Sequence, residues 1–365
     1  MRHTSPMTEL YLFGAGASAA EGAPATADLF PEAWRLCQGR PDPRAQRIWR
    51  FLALVWGQPI GAPADFAHLP HVDEVVSLID WSLQMEQGLG PHFGLRELWG
   101  LRQDLTYLIE QTLGATMAGG LPESGGPHER FASGLVVRPA VLLSLNYDTV
   151  LDRALKRAGL EPDYGFGRLN LAPPVGAEKG APTGESATAP SIPLLKLHGS
   201  LNWAHCPACD RIEVLAHPLG DAPPGATPSQ LDCSRCGNPS LDRLIISPTW
   251  LKRYTATQLR HVWDLALEAL QAAESLTFIG YSLPPHDVAV AQFLRRALLA
   301  RPQGRPLTIR VLNRTRPGPP IASEQARRAL ADRFIRHFGP QVLFNWAGFT
   351  GPIEADAFRP FRLPV

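Results

Sequence analysis

Short apolar runs that end in glycine or small polar residues recur along the chain, each followed by an amphipathic stretch. Leu10–Phe13 ends in Gly14-Ala15-Gly16-Ala17-Ser18 and alanine-rich sequence, which predicts a strand, a tight turn and a helix start. From about Leu29 to Gly114 the pattern changes to helices broken by Pro/Gly clusters. Val72–Leu83 and Leu95–Leu113 carry apolar residues at helical spacing there. Gly119–Pro127 reads as a loop. Val136–Leu145 is a second strand, with Pro139 at its edge or start, and it runs through Asn146-Tyr147-Asp148-Thr149 into the helix Val150–Ala158. The Pro-, Gly-, Ala-, Ser- and Thr-rich composition after Asn170 predicts a flexible loop over 170–192.

Further strands are expected at Leu194–Leu197, ending in His198-Gly199-Ser200, and at Leu244–Ile246. Gln258–Ala273 reads as a helix. Leu276–Ile279 is a strand ending in Gly280-Tyr281-Ser282-Leu283-Pro284-Pro285, after which His286-Asp287 opens the helix Val288–Leu299. Leu307–Leu312 is a strand ending at Asn313, and a helix near Ser323–His337 and a strand near Val342–Phe344 close the pattern. Strand, polar or glycine-rich turn, then helix is the order of a parallel α/β sheet with helices on both faces. In such folds ligands sit at the carboxyl ends of the strands. The informative residues fall at those ends: Gly14–Ser18, Asn146–Asp148, His198–Ser200, Gly280–Ser282 and Asn313.

Composition narrows the function classes. Lys+Arg 35 against Asp+Glu 34 leaves a net charge of +1, which gives no whole-chain reason to expect nucleic acid or a membrane surface as partner. Arg295, Arg296, Arg314 and Arg316 lack interleaved aromatics and read as solvated faces. No apolar run approaches the roughly 18 residues of a membrane span, and the first residues, Met1–Leu10, lack the apolar stretch of a leader. The expected compartment is the cytoplasm.

Cys206, Cys209, Cys233 and Cys236 stand as two CxxC pairs, and paired CxxC spacing without an export signal favours metal over disulfides. Four thiolates in two knuckles make a closed, tetrahedral, structural zinc site. The segment between the pairs is slightly longer than the usual about 15–20 residues, but a longer surface loop costs little closure entropy. His205 and His217 lie nearby and are not needed as ligands. Cys37, in an apolar helical stretch, reads as a small core residue.

Each strand-end motif carries a functional and a structural reading. Gly14–Ser18 offers backbone N–H groups at a helix start, suited to a pyrophosphate, or is a tight packing turn with no ligand. It departs from GxGxxG, because Ala19 takes the third glycine's place and no acidic residue ends a second strand at the expected distance. Asn146 and Asp148 are able to grip ribose hydroxyls or position a water; the alternative is an ordinary turn with Asp148 capping the next helix. His198 is a general base or a hydrogen-bonded structural residue.

These motifs, in this order, resemble the sirtuin superfamily over residues 11 to about 315. The resemblance implies a Rossmann-like sheet with a small zinc module (203–240) in a single sirtuin-like domain, interrupted by the helical insert (29–130). It implies NAD as substrate: Gly14, Ala15, Gly16, Ala17 and Ser18 on the pyrophosphate, Asn146 and Asp148 toward the nicotinamide, His198 on its ribose. Gly280, Ser282 and Asn313 would hold the phosphate and adenosine ribose. Deacylase sirtuins continue the first turn with Gly-Ile-Pro-Asp-Phe-Arg, where this chain has Gly22-Ala23-Pro24-Ala25-Thr26-Ala27. They carry Gln where Leu145 stands, and Phe-Gly-Glu in the acyl-lysine groove, where this chain reads Leu244-Ile245-Ile246-Ser247-Pro248-Thr249-Trp250. The stretch around Trp250-Leu251-Lys252, Trp263 and Gly280–Asp287 is similar to bacterial sirtuin-like proteins, several of which hydrolyse NAD in antiphage defence.

The resemblance therefore implies an NAD hydrolase in which Asn146 positions water and His198 assists, held in check by self-association or a regulatory partner protein. An NAD-dependent deacylase and a non-catalytic NAD or ADP-ribose sensor are the alternatives; a dehydrogenase is disfavoured by the absent acidic ribose-binder. The insert is expected to cover the cleft or to form an oligomer contact.

Overall fold

The computed structural model describes residues 9–38, 42–57, 69–118, 125–137, 140–168, 190–215, 232–239, 241–245, 256–302, 304–314 and 320–361. Strand β1 (Glu9–Phe13) leads directly into the one-turn helix α1 (Ala15–Ala19). The helical insert follows as α2 (Leu29–Cys37), α3 (Pro43–Trp56), α4 (Val72–Gln84), α5 (Leu95–Ala118) and α6 (Pro127–Leu135). Its helices have ordinary local causes. Pro43 opens α3 while the Asp42 carboxylate accepts from the Arg44 amide (2.7 Å), and Gly57 ends it in the left-handed region at φ 68°. In α4, Val72, Val75, Val76 and Ile79 recur at i, i+3, i+4 and i+7 and are all buried.

The sheet resumes with β2 (Ala140–Ser144), α7 (Val150–Arg157), β3 (Glu161–Asp163) and β4 (Ser191–Lys196). A smaller antiparallel sheet is built from β5 (Gly199–His205) between β6 (Ile212–Val214) and β7 (Asp242–Ile245). Then come α8 (Thr257–Ala272), β8 (Ser275–Ile279), α9 (Val288–Leu299), β9 (Thr308–Leu312), α10 (Pro320–Phe338), β10 (Leu343–Asn345) and β11 (Arg359–Pro360). The main sheet has the order β11-β10-β9-β8-β1-β2-β4-β3, parallel throughout except for β11.

Strand β1 shows why the sheet needs cover on both faces. Leu10 and Leu12 enter one apolar core with α8, α9 and α10; Tyr11 and Phe13 enter the other with α6 and α7. The chain moves from β1 to β2 on one side and returns to β8 on the other. The carboxyl end of β1 is therefore the topological switch point, where α/β folds bind ligands.

The insert has its own core, and that core includes Val150 and Leu201, with Tyr147 and Ile245 packed against it. The insert is thus packed against the start of α7 and against β5 and β7. Helix α6 crosses the expected end of the insert at residue 130, because Pro127 starts a helix that buries His128, Phe131 and Ala132. Most of the loop expected over 170–192 lies outside the described residues, but Ser191 and Ile192 already pair with Glu161 and Pro162 in β4. The small sheet starts at Gly199 and ends at Ile245, so the cysteine module is rooted outside 203–240.

Candidate functional site

The turn after β1 packs backbone against backbone with the turn after β8. The Gly14 amide donates to Ile279 O (2.9 Å) and the Gly16 amide to Gly280 O (2.9 Å). Gly280 lies at φ 63°, and a Cβ there would meet the Ala17 nitrogen at 2.0 Å; a Cβ on Gly16 would meet Gly280 O at 2.8 Å. Only glycine fits both positions. These glycines are accounted for by close packing, whatever else binds there. Beside this turn a cavity of about 710 Å³ opens, lined by Ala19, Gly22, Ala23, Pro24, Asp28 and Trp34. It includes part of the stretch where this chain departs from the deacylase sequence.

Asn146, at the end of β2, is buried and joins the first turn directly. Its Nδ2 donates to Gly14 O (3.0 Å) and to Ser18 Oγ (3.0 Å). Asp148 accepts from the Val150 amide through Oδ1 (3.1 Å), which ties the start of α7, and its carbonyl accepts from Lys196 Nζ (2.6 Å). Asn313 donates from Nδ2 to Tyr281 O (3.1 Å), and Ser282 O accepts from Arg333 Nε (2.9 Å). Asn146, Gly14, Gly16, Ser18 and Gly280 are thereby brought into one hydrogen-bonded and packed group. Asp148, Ser282 and Asn313 brace the backbone around it.

Sequence reasoning missed the polar network beneath. Lys196 is fully buried and reaches Asp152 Oδ2 at 3.1 Å. Asp152 Oδ1 accepts from the Tyr164 hydroxyl (2.5 Å), which accepts from Asn202 Nδ2 (3.5 Å), while Ser200 Oγ donates to Asn202 Oδ1 (2.6 Å). Burial and then the Asp152 charge push the Tyr164 phenol well above its ordinary range, so it stays a neutral donor. A lysine ending an apolar strand was the available signal, since a buried ammonium needs a partnered carboxylate.

His198 is buried between β4 and β5. Gly199 follows at φ 81°, and a Cβ there would lie 2.1 Å from Leu244 O, so the chain turns sharply only because this residue is glycine. The imidazole faces the Tyr147 ring at 6.3 Å and the Trp263 ring at 6.4 Å, and its Nε2 stands 4.0 Å from Asp287 Oδ1. Trp263 is held by an Nε1 bond to Leu197 O (2.9 Å). Burial, then the Asp287 charge, raises the Tyr147 phenol, with Arg102 opposing. Asp287 and Tyr147 were not singled out in the sequence; each adjoins a motif that was.

The cysteine module repeats one turn twice. The Cys206 amide donates to Arg211 O and the Asp210 amide to Cys206 O; the Cys233 amide donates to Asn238 O and the Gly237 amide to Cys233 O. Asp210 (φ 57°) and Gly237 (φ 70°) occupy the same left-handed position. All four sulfurs lie within 4.8 Å of one another, with 3.6 Å for Cys206–Cys236 and Cys209–Cys233. A tetrahedron with metal–sulfur bonds of about 2.3 Å has edges close to 3.8 Å, and a disulfide needs about 2.05 Å. The spacing therefore fits a tetrahedral metal. Burial raises the Cys206 thiol, but the amides of Cys209 and Ala208 with Asn238 outweigh it and lower it, while burial and the neighbouring thiols push Cys209 up. His205 bonds Asp210 (2.7 Å), and the Asp210 carboxylate accepts from the Thr257 amide (3.0 Å), which fastens the module to α8. His217 lies outside the described residues.

A doubly wound parallel sheet, with polar residues gathered at its switch point and a four-cysteine module inserted after the fourth strand, defines the class. The sequence profile of the SIR2-like domain matches residues 140–338, and the chain belongs to that family. No curated protein matches it. Among solved structures it is similar to a Sir2 enzyme studied for mechanism and regulation (12% identity, 91% of this chain and 93% of the other, TM-score 0.38). A mutant Sir2 homologue bound to ADP-ribose gives 15% identity, 90% and 93% coverage, and a TM-score of 0.35. A Sir2 with a p53 peptide and NAD+ gives 13%, 90%, 94% and 0.33. Among the described residues, no helix is long and apolar enough to cross a membrane.

Proposed function

We propose that the chain binds NAD at the switch point and hydrolyses its nicotinamide–ribose bond. The observation that carries this reading is the buried Asn146, whose amide ties the glycine turn to the end of β2. His198 stands at the end of the next strand in the sheet. The C–N bond breaks with its electron pair leaving on nicotinamide, and the ribose carbon becomes oxocarbenium-like. Asn146 orients a water whose oxygen bonds to that carbon, and His198 takes the water's proton, giving ADP-ribose. The cavity lined by Ala19 and Trp34 has the volume of a small-molecule site and opens past the end of α1, without Asn146 or His198 in its lining. The absent Phe-Arg and acyl-lysine segments favour water over a protein substrate.

Zinc on Cys206, Cys209, Cys233 and Cys236 would be structural, since four thiolates leave no position open. Loss of cellular NAD suits a defence effector, and we place control of the enzyme in self-association or a partner protein.

The test is chromatography of NAD after incubation with the purified protein, with Asn146→Ala, His198→Ala and an acetyl-lysine peptide as arms. Peptide-independent release of nicotinamide and ADP-ribose, reduced about 10²-fold or more in either variant, is expected. Turnover only with the peptide would make the chain a deacylase. NAD binding without turnover, at all protein concentrations, would make it a sensor.

A further inference from the structure

An aspartate at the start of a helix ordinarily turns its carboxylate onto the first free amides. Asp287 stands at that position of α9 and makes no such bond. Its Oδ2 accepts from the Tyr281 hydroxyl (2.8 Å), and its Oδ1 faces His198 Nε2 at 4.0 Å. Both residues are 5% exposed. The loop that aims it is strained at one residue: Leu283, immediately before Pro284, has φ 48°. A left-handed leucine is unfavourable and persists where surrounding contacts enforce it. Leu283 is buried, and Asn313 holds the neighbouring Tyr281 carbonyl.

We propose that Asp287 is the positioning residue for His198. The claim rests on the hydrolase reading for its role in turnover, though the pair itself exists without substrate. An opposite charge about 4 Å away in a buried site favours the protonated imidazole and fixes the ring's direction. Asp287 thus steadies the charge that His198 acquires when it takes the water's proton, and no net proton moves onto the carboxylate.

The other charged and titratable groups around the pair are few among the described residues. Tyr147, from the turn after β2, is a neutral phenol against the ring. Tyr281 is bonded to Asp287 itself. Arg102 of α5 acts on Tyr147 and pairs with Asp80 (2.6 Å). His286 pairs with Asp73 of α4 (3.2 Å). Trp263 from α8 presents an uncharged ring.

The experiment is an NMR titration of imidazole signals in the NAD-free protein, with His198 assigned by His198→Gln. Asp287→Asn is expected to lower the His198 midpoint by about one pH unit, a tenfold loss of proton affinity. Tyr281→Phe, which keeps the carboxylate, should move it less, and Asp287→Glu should restore part of the shift. In turnover, Asp287→Asn should lower kcat with little change in KM and move the acid limb of the rate profile to lower pH by the same amount. An unmoved midpoint in folded Asp287→Asn overturns the proposal. If Asp287→Asn does not fold, a Tyr281→Phe midpoint identical to wild type, with Asp287→Glu also unmoved, overturns it as well. An inactive wild type that still shows the titration shift would overturn the hydrolase reading while supporting the pair.

Discussion

The cysteine module and the strand-end cluster solve the same problem, fixing polar groups against one another, by opposite means. In the module each knuckle closes on itself: a Cys-x-x-Cys turn, a left-handed residue after it, and two backbone bonds. The geometry is local, so the spacing of four residues specifies it. The strand-end cluster has no local rule. Asn146 meets Gly14 and Ser18 across more than a hundred residues of chain, and His198 meets Asp287 only because β4 and α9 converge at the switch point. A local site stands or falls with its ligand, whereas a dispersed site depends on the packing of the whole sheet.

The sharpest way to break the comparison is to remove the module's ligand. Stripping a structural zinc forfeits binding energy of about 10–16 kcal/mol in small zinc peptides, and much of that is folding energy. Cys206→Ser or a strong chelator should therefore melt the small sheet, releasing one zinc per chain and lowering Tm substantially. The readouts are metal release and thermal unfolding. A protein that contains no zinc, or whose Tm ignores chelation, would show that the module folds on its own hydrogen bonds.

The same contrast explains what was legible in the sequence. The parallel sheet could be read because each buried strand is a short apolar run stopped by glycine or a polar residue, as at Leu10–Phe13 and Leu276–Ile279. The four cysteines could be read because spacing is their geometry. Helix α6 was missed because Pro127, which elsewhere marks a loop, here supplies the first turn of a helix. The strand β5 was hidden by the cysteine motif that follows it. Lys196, Asp152 and Tyr164 were invisible as a group, since each is ordinary alone and only the meeting of α7 with the end of β4 and the residue after β3 makes them partners. Asp287 was passed over because an aspartate before a helix looks like a cap.

A smaller loss is expected from Gly280→Ala, which attacks the dispersed site alone. A left-handed alanine costs roughly 1–2 kcal/mol, and the backbone shift needed to clear Ala17 adds about 1–3 kcal/mol. Chemical denaturation should register the sum, and NAD binding should weaken while the zinc content stays at the wild-type level. Zinc loss in this variant would mean that the two regions are one cooperative unit. Unchanged stability would mean that the two turns separate more easily than their 2.9 Å amide bond implies.

The smallest effect sits where the turn meets the insert. Glu21, just past α1, accepts from both the amide (2.8 Å) and the ring Nδ1 (2.8 Å) of His128, which is sandwiched by Phe13 and Phe349. Burial alone would raise the Glu21 carboxyl, but the His128 bonds and charge outweigh it and hold it below its ordinary 4.5. A depressed carboxylate stabilises the fold fully above that ordinary value, and the contribution disappears as pH falls through the lower, folded value. Glu21→Gln should therefore cost about 1–2 kcal/mol near neutrality, the scale of one charge-assisted bond, and should flatten the fall of Tm below about pH 4.5. The check is Tm against pH for both proteins. Parallel curves would show that the pair does not feel the acid transition, and that the insert is held over the turn by its apolar contacts alone.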